Sequence, residues 1–280
     1  MAATQAGGQA TALEPRPGAR SRAGGPGAWF SRRRGPILSV ALVVVVIAAW
    51  QLFASQGWVN RVYTSEPSTI VSAAWHYLPS SQGRADLGTS LEELAIGFAL
   101  SITVGVTLGL LMGRYRLFEE TTSLGLNIFY SLPLIALAPI IVLWFGIGIE
   151  SKIVVVFLAS LFPILVSTLT GVKNVDATIR DMARSYRAKE RQLWLTILLP
   201  ASVPSILSGI RIGMAGALVG VVVGEFISSS EGIGFLISQS ANNFNITDVF
   251  VGLLVLAVIS LILTVILRRL DSHFSKWRTR

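Results

Sequence analysis

The chain of 280 residues contains no cysteine, which excludes a disulfide framework, thiol catalysis and any cysteine-based metal site. Histidine is almost as scarce. His76 and His273 stand far apart and form no ligand cluster, so no metal centre is expected. Charged residues make up only 14% of the chain against 52% hydrophobic, a balance found in membrane proteins rather than soluble domains. The mean hydropathy of +0.65 agrees. No G-x-x-x-x-G-K-[ST] occurs anywhere, so the chain has no P-loop with which to hold a nucleotide's phosphates.

What remains is apolar sequence divided by short polar breaks. Residues 1–35 are rich in Gly, Ala, Pro and Arg and end in Arg32-Arg33-Arg34; with almost nothing to bury, they are expected to form a disordered basic tail. Apolar runs near 37–54, 90–112, 124–146, 153–170, 205–227 and 249–267 are read as about six transmembrane helices. The first run is long for a cleaved signal peptide, and no convincing small-x-small site follows it, so it is read as retained. Glu66-Pro67 reads as the start of a short helix carrying Ile70, Val71, Ala74 and Tyr77, lying along the membrane surface. Pro133, Pro139 and Pro163 fall inside spans, where they kink a helix and free carbonyls.

The basic residues sort by side. With the N-terminus inside, the cytoplasmic segments carry Arg16 to Arg34, Arg114, Arg116, Lys173 to Arg191 and a C-terminal cluster, while the outer ones hold only Arg61, Arg84 and Lys152. This is the positive-inside pattern. It accounts for the net charge of +8 without nucleic acid, and it puts both termini in the cytoplasm.

Several ionisable and small residues stand out within the spans. Glu92 and Glu93 lie at the entrance to the second span, where adjacent carboxylates are most simply solvated. In the fifth span Gly209, Gly213, Gly216, Gly220 and Gly224 advance by three or four residues, so they line one face and invite close approach of another helix. Arg211 and Glu225 share a face of the same span, one near each end. Two readings stand for them: groups on a solute path or gate, or charges that snorkel or pair with neighbouring helices.

One charged segment, 173–204, interrupts the apolar second half. Asp176 is expected to cap a helix whose Ile179, Met182, Ala183 and Tyr186 form an apolar stripe, with Arg180, Asp181 and Arg184 turned away. A second helical run from Glu190 is expected to end at Pro200, with a new helix starting at Pro204. Taken alone, this is either a docking element or an ordinary cytoplasmic loop.

Asp181-Met182-Ala183, then Arg187, then Ile197-x-Leu199-Pro200 resemble the EAA loop of ATP-binding-cassette importer permeases. Asp replaces the loop's Glu, Met its first Ala, and Arg187 its Gly. The runs SLPLIALAPIIVLWFGIGIESK, FPILVSTLTGVKNVD, LPASVPSILSGIRIGMAGALVG and VVGEFISSSEGIGFLI are similar to permeases of the nitrate, sulfonate and taurine type. The likeness extends from about Pro67 to Leu270, with Glu93 standing where such permeases usually carry Arg. It implies an all-α polytopic permease fold of the type I importer class in the bacterial inner membrane, with residues 36–280 as the permease domain. It also implies a homodimer of permease copies, two cytosolic ATPase subunits that use the ATP, and an extracytoplasmic binding protein delivering a small solute, such as a sulfonate or nitrate anion, to a surface including Ser228 to Ile237. In such permeases the loop is the coupling helix, which assigns Asp181, Met182, Ala183, Arg184, Arg187, Leu199 and Pro200 to ATPase coupling. Gly213, Gly216, Gly220, Gly224, Arg211 and Glu225 fall to the pathway or its helix packing. The chain itself binds no cofactor and catalyses no reaction.

At Arg187 two conformations are open: a strained left-handed turn in the glycine's place, or a helix running straight through. Two other classes fit the composition less well. A membrane-embedded enzyme needs ionisable groups converging within the spans. An ion-coupled secondary transporter usually shows repeat symmetry and deep carboxylates.

Overall fold

A computed structural model describes residues 26–58 and 63–275. The expected tail up to residue 25, Arg61 and the last five residues lie outside these. The chain divides into two compact units, Met1–Ala49 and Trp50–Arg280.

The first unit holds most of α1 (Pro26–Ser55). This helix begins before the expected end of the tail at residue 35, because Arg32, Arg33 and Arg34 are themselves good helix formers. From Val40 to Ala49 it is apolar on every side, as a helix surrounded by lipid should be.

The second unit is built on α6 (Ile149–Lys173), which runs between α3 (Ser81–Arg114) and α9 (Leu199–Ser228). Glycine on both outer helices makes the close approach possible. A Cβ on Gly109 of α3 would stand 2.6 Å from the Thr168 side chain, and one on Gly213 of α9 would stand 2.7 Å from Ile164. Pro163 contributes from the other side: it has no N–H to give the Ala159 carbonyl, and that oxygen points at Gly216 of α9. Buried hydroxyls add a polar tie, with Ser160 donating to Ser101 at 2.7 Å and Ser101 to the Phe157 carbonyl at 2.8 Å.

The remaining helices surround this trio. α2 (Pro67–Tyr77) begins with Pro67 in its first turn, as expected, and packs on α11 (Ile246–Ser275) through Ile70, Ala74 and Val251. Between α9 and α11 lies α10 (Ile233–Asn242), whose Ile233 and Ile237 enter the core with Val156, Ala217 and Val221.

Two expectations about the spans need correction. The run 124–146 is not one kinked helix. It divides into α4 (Arg116–Ser131) and α5 (Leu134–Phe145), bent by 108°. The residue before a proline is pushed out of the helical region, and Leu132 before Pro133 is extended at φ −72°, ψ 138°. Likewise Pro204 does not begin a helix. A short α8 (Glu190–Gln192), a π-helical turn (Leu193–Leu198) and α9 follow one another without a break, and Pro204 lies inside α9. The wider π turn just ahead of Pro200 accommodates a residue that cannot donate into an α ladder. Among the described residues five helices are long and apolar enough to cross a membrane, or six if the bent α4–α5 pair counts as a span.

Candidate functional site

Two polar regions stand out on this scaffold. The first is the loop after α6. Asp176 caps α7 (Ala177–Ser185) as expected, its carboxylate accepting the Thr178 N–H at 2.8 Å. That backbone hydrogen bond holds the Asp176 carboxyl below the usual carboxylate range. A lowered folded-state pKa means the cap's contribution is present at neutral pH and is lost as pH falls through it.

The loop has a small core of its own. Val175, Ala183, Leu193 and Leu198 are buried together, with Ala188, Trp194 and Ile197 against them. Ala183, expected among the residues that contact a partner, is therefore only 8% exposed and faces inward. The other three members of its stripe face out: Ile179 is 46% exposed, Met182 56% and Tyr186 82%. Arg184 is on the same helix, Asp181 is exposed, and Leu199 and Pro200 open α9.

At Arg187 the chain takes the first of its two conformations. The residue has φ 55°, in the left-handed region, and the Ala188 N–H returns to the Ala183 carbonyl at 3.0 Å. This is the Schellman ending, normally formed with glycine at that position, and it comes with the usual apolar contact, here Ala188 on Ala183. The strain is about 1 kcal/mol for a non-glycine residue. Arg187→Gly should therefore leave hydrogen exchange of the α7 amides unchanged or up to about fivefold slower. Arg187→Val, whose branched side chain tolerates positive φ least, should speed it by a larger factor. Equal exchange in the valine variant and the parent would mean that the turn does not hold its left-handed residue.

The second region lies at the opposite end of α9, where three buried side chains take the first three amides of the α10 segment. Gly232 donates to Asp86 Oδ1 at 2.8 Å, Ile233 to Ser90 Oγ at 2.8 Å, and Gly234 to the Glu225 carboxylate. These are the N–H groups a helix start leaves without internal partners, and oxygen acceptors also suit the positive end of its dipole. Gly232 adopts φ 126°, a conformation that L side chains avoid. Ser90 also donates to Glu225 Oε1 at 2.6 Å, and Asp86 accepts from Gln82 at 3.1 Å and from the Tyr77 hydroxyl. Burial, and then the neighbouring Asp86, push the Tyr77 hydroxyl up, so it stays a donor.

Glu93 completes the cluster. It is fully buried and paired with Lys152, itself 6% exposed, whose ammonium also donates to Ser229 Oγ at 3.0 Å. The expectation that Glu93 is solvated at a span entrance is overturned, because α3 begins at Ser81 rather than near residue 90 and carries Glu93 inside the bundle. Its neighbour Glu92 is exposed. Near the middle of α9, Arg211 is half-exposed and donates to Asp271 of α11 at 2.8 Å. Arg211 and Glu225 thus each bond to neighbouring helices and do not meet. Asp86, Ser90 and Lys152 were not singled out from sequence.

A bundle of glycine-packed helices thus carries a loop with an apolar outer face at one end and a pinned helix at the other. Residues 105–280 match the family model described as the binding-protein-dependent transport system inner membrane component. The chain belongs to this family. It is a permease of the ATP-binding-cassette importers, a transport subunit of the inner membrane and not an enzyme, in a family that works with a binding protein and an ATPase. Among its relatives is the putative aliphatic sulfonates transport permease protein SsuC of Bacillus subtilis (strain 168), 32% identical over 247 residues that cover 88% of this chain and 90% of the relative. Another is the formylaminopyrimidine transport permease protein ThiX of Halalkalibacterium halodurans, 34% identical over 194 residues, covering 69% and 78%. An inward-facing structure of the MetNI methionine ABC transporter matches with TM-score 0.59 at 18% identity, covering 75% of this chain and 99% of that one. At that identity the match bears on the fold alone.

Proposed function

We propose that two copies of this permease form the pathway for a small organic anion such as an aliphatic sulfonate, with both termini in the cytoplasm. Two cytosolic ATPase subunits dock on the α7 loops, and an extracytoplasmic binding protein delivers solute at the α9–α10 end. The observation that carries the coupling role is the two-sidedness of α7. Its inner side is spent on the loop's own core, leaving Ile179, Met182 and Tyr186 as an outer apolar face next to Arg180 and Arg187. An apolar helix face left over after a loop has packed on itself is a surface for a partner groove.

ATP closure on the loop would then be transmitted through the unbroken run from Glu190 to Ser228, whose glycine face bears on α6, to the α10 segment at the far end. Gly213, Gly216, Gly220 and Gly224 serve this path by setting how near α9 lies to α6. Glu225 serves by tying α9 to α10. Arg211 acts as a tie to α11 rather than as a solute ligand.

The sulfonate assignment rests on SsuC. The ThiX relative supports a second reading, a neutral or weakly basic pyrimidine. One experiment tests both readings: the permease is reconstituted in vesicles with candidate ATPase and binding-protein partners, and hydrolysis is followed with each solute. Stimulation by an alkanesulfonate but not by a formylaminopyrimidine is expected. The reverse would replace the solute, and no stimulation by any loaded binding protein would reject the importer arrangement.

A further inference from the structure

At the α7 end of the bundle stands Arg114, the last residue of α3. Glu119 holds Lys173, and Glu120 holds Arg116 at 2.7 Å. Among the described residues no carboxylate pairs with Arg114. Its guanidinium lies over two aromatic rings instead, 5.2 Å from the centroid of Tyr115 and 5.5 Å from that of Trp194. A guanidinium stacked in this way keeps its edge N–H groups free, and that edge is the part that fits a phosphate.

Beside Arg114 the surface is apolar and concave on two sides. One groove of about 260 Å³ runs between α3 and the π turn, past Leu110, Leu111, Leu195 and Leu199. Another of about 460 Å³ runs between α3 and α4, past Leu111, Leu117 and Phe118. Leu111 is the ridge between them, and both grooves open within a turn of Arg114. An unpaired cation flanked by Trp and Tyr, above twin apolar grooves, matches a molecule with one phosphate and two acyl chains. Tryptophan and tyrosine gather at the headgroup level of a bilayer, and basic pockets on the cytoplasmic side of membrane helices are where anionic headgroups are held.

We propose that Arg114, Tyr115 and Trp194 form a binding site for one anionic phospholipid of the cytoplasmic leaflet, its phosphate on the Arg114 guanidinium and its chains in the two grooves beside Leu111. Because Trp194 belongs also to the core of the α7 loop, a lipid held there touches the element assigned to the ATPase, and lipid composition would bear on coupling. The proposal rests on the orientation given above, with Arg114 inside.

The test uses the full chain purified with an equal mixture of phosphatidylglycerol and phosphatidylcholine, with bound lipid counted by native mass spectrometry. The parent should retain phosphatidylglycerol selectively. Arg114→Gln should lower that retention about fivefold, while Arg116→Gln, at a cation already paired with Glu120, should leave it unchanged. Leu195→Trp, which fills one groove and keeps the charge, should also lower it, so the result does not depend on how one variant folds. Equal retention in Arg114→Gln and the parent, equal retention of phosphatidylcholine, or displacement by excess inorganic phosphate would each overturn the proposal, the last by reducing the site to one for free anions. Orientation is read separately. The chain lacks cysteine, so Arg116→Cys provides a single label, and reaction with an impermeant maleimide from the outer side would reject the orientation rather than the lipid contact.

Discussion

Lys152→Met is expected to leave little folded permease in the membrane. Lys152 lies beneath the α9–α10 segment at 6% exposure, and Glu93, with which it pairs, is wholly buried. Removing the ammonium leaves the Glu93 carboxylate without its counter-charge, with Glu225 of the same cluster nearby. Breaking one partner out of a buried pair costs about 3–5 kcal/mol, a large share of a total stability of about 5–15 kcal/mol. The companion variant makes the argument specific. Glu93→Leu with Lys152→Met replaces both charges by apolar side chains, and Glu225 keeps the Ser90 hydroxyl and the Gly234 amide as partners. Replacing a whole buried pair is often nearly neutral, so the double variant should recover most of the lost yield and thermal stability. Extraction in mild detergent followed by thermal unfolding measures both. A single variant as stable as the parent, or a double variant no better than the single, would mean that the pair does not hold this end together.

The signal for that cluster is present in the sequence. Along α3 the buried positions include Asp86, Ser90, Glu93, Gly97, Ser101, Gly105, Gly109 and Met112, a stripe of small and polar residues three or four apart. The spacing of Gly105 and Gly109, carried backwards by fours, reaches Glu93 and not Glu92. A carboxylate in register with a packing stripe belongs to the packed face. Hydropathy alone does not reveal this, because it averages residues and registers only where apolar sequence begins. The α4–α5 break is hidden from hydropathy for a related reason. Apolar sequence continues across Leu132-Pro133, and hydropathy does not register backbone dihedrals, whereas the restriction that proline places on its predecessor turns the chain there.

What was legible followed from local chemistry. Asp176 before an amphipathic run is a helix start in any surroundings, and Pro67 after Glu66 is another. Arg187 was legible only as a pair of alternatives, since an arginine is acceptable in a helix and disfavoured at positive φ. The loop's small core decided between them by drawing Ala188 onto Ala183.

The same core decides what the next variant will do. Ala183→Asp puts a carboxylate among Val175, Leu193 and Leu198. Burying an unpaired charge there costs several kcal/mol unless it is protonated or the site opens, and a loop with so few buried residues has little with which to resist. Ala183→Asp should therefore abolish hydrogen-exchange protection of the α7 amides and, with it, recruitment of the ATPase subunit, while the spans stay folded. Met182→Asp puts the same group on the outer face at a position 56% exposed. It should leave α7 protection unchanged and still reduce ATPase recruitment, by tenfold or more if docking buries the methionine, since burial of such a side chain contributes about 1.5–3 kcal/mol. The two variants separate folding of the loop from docking upon it, and pull-down of the ATPase beside exchange of α7 reads both. If Met182→Asp recruits the ATPase as well as the parent does, the docking face is not the one that Ile179, Met182 and Tyr186 present.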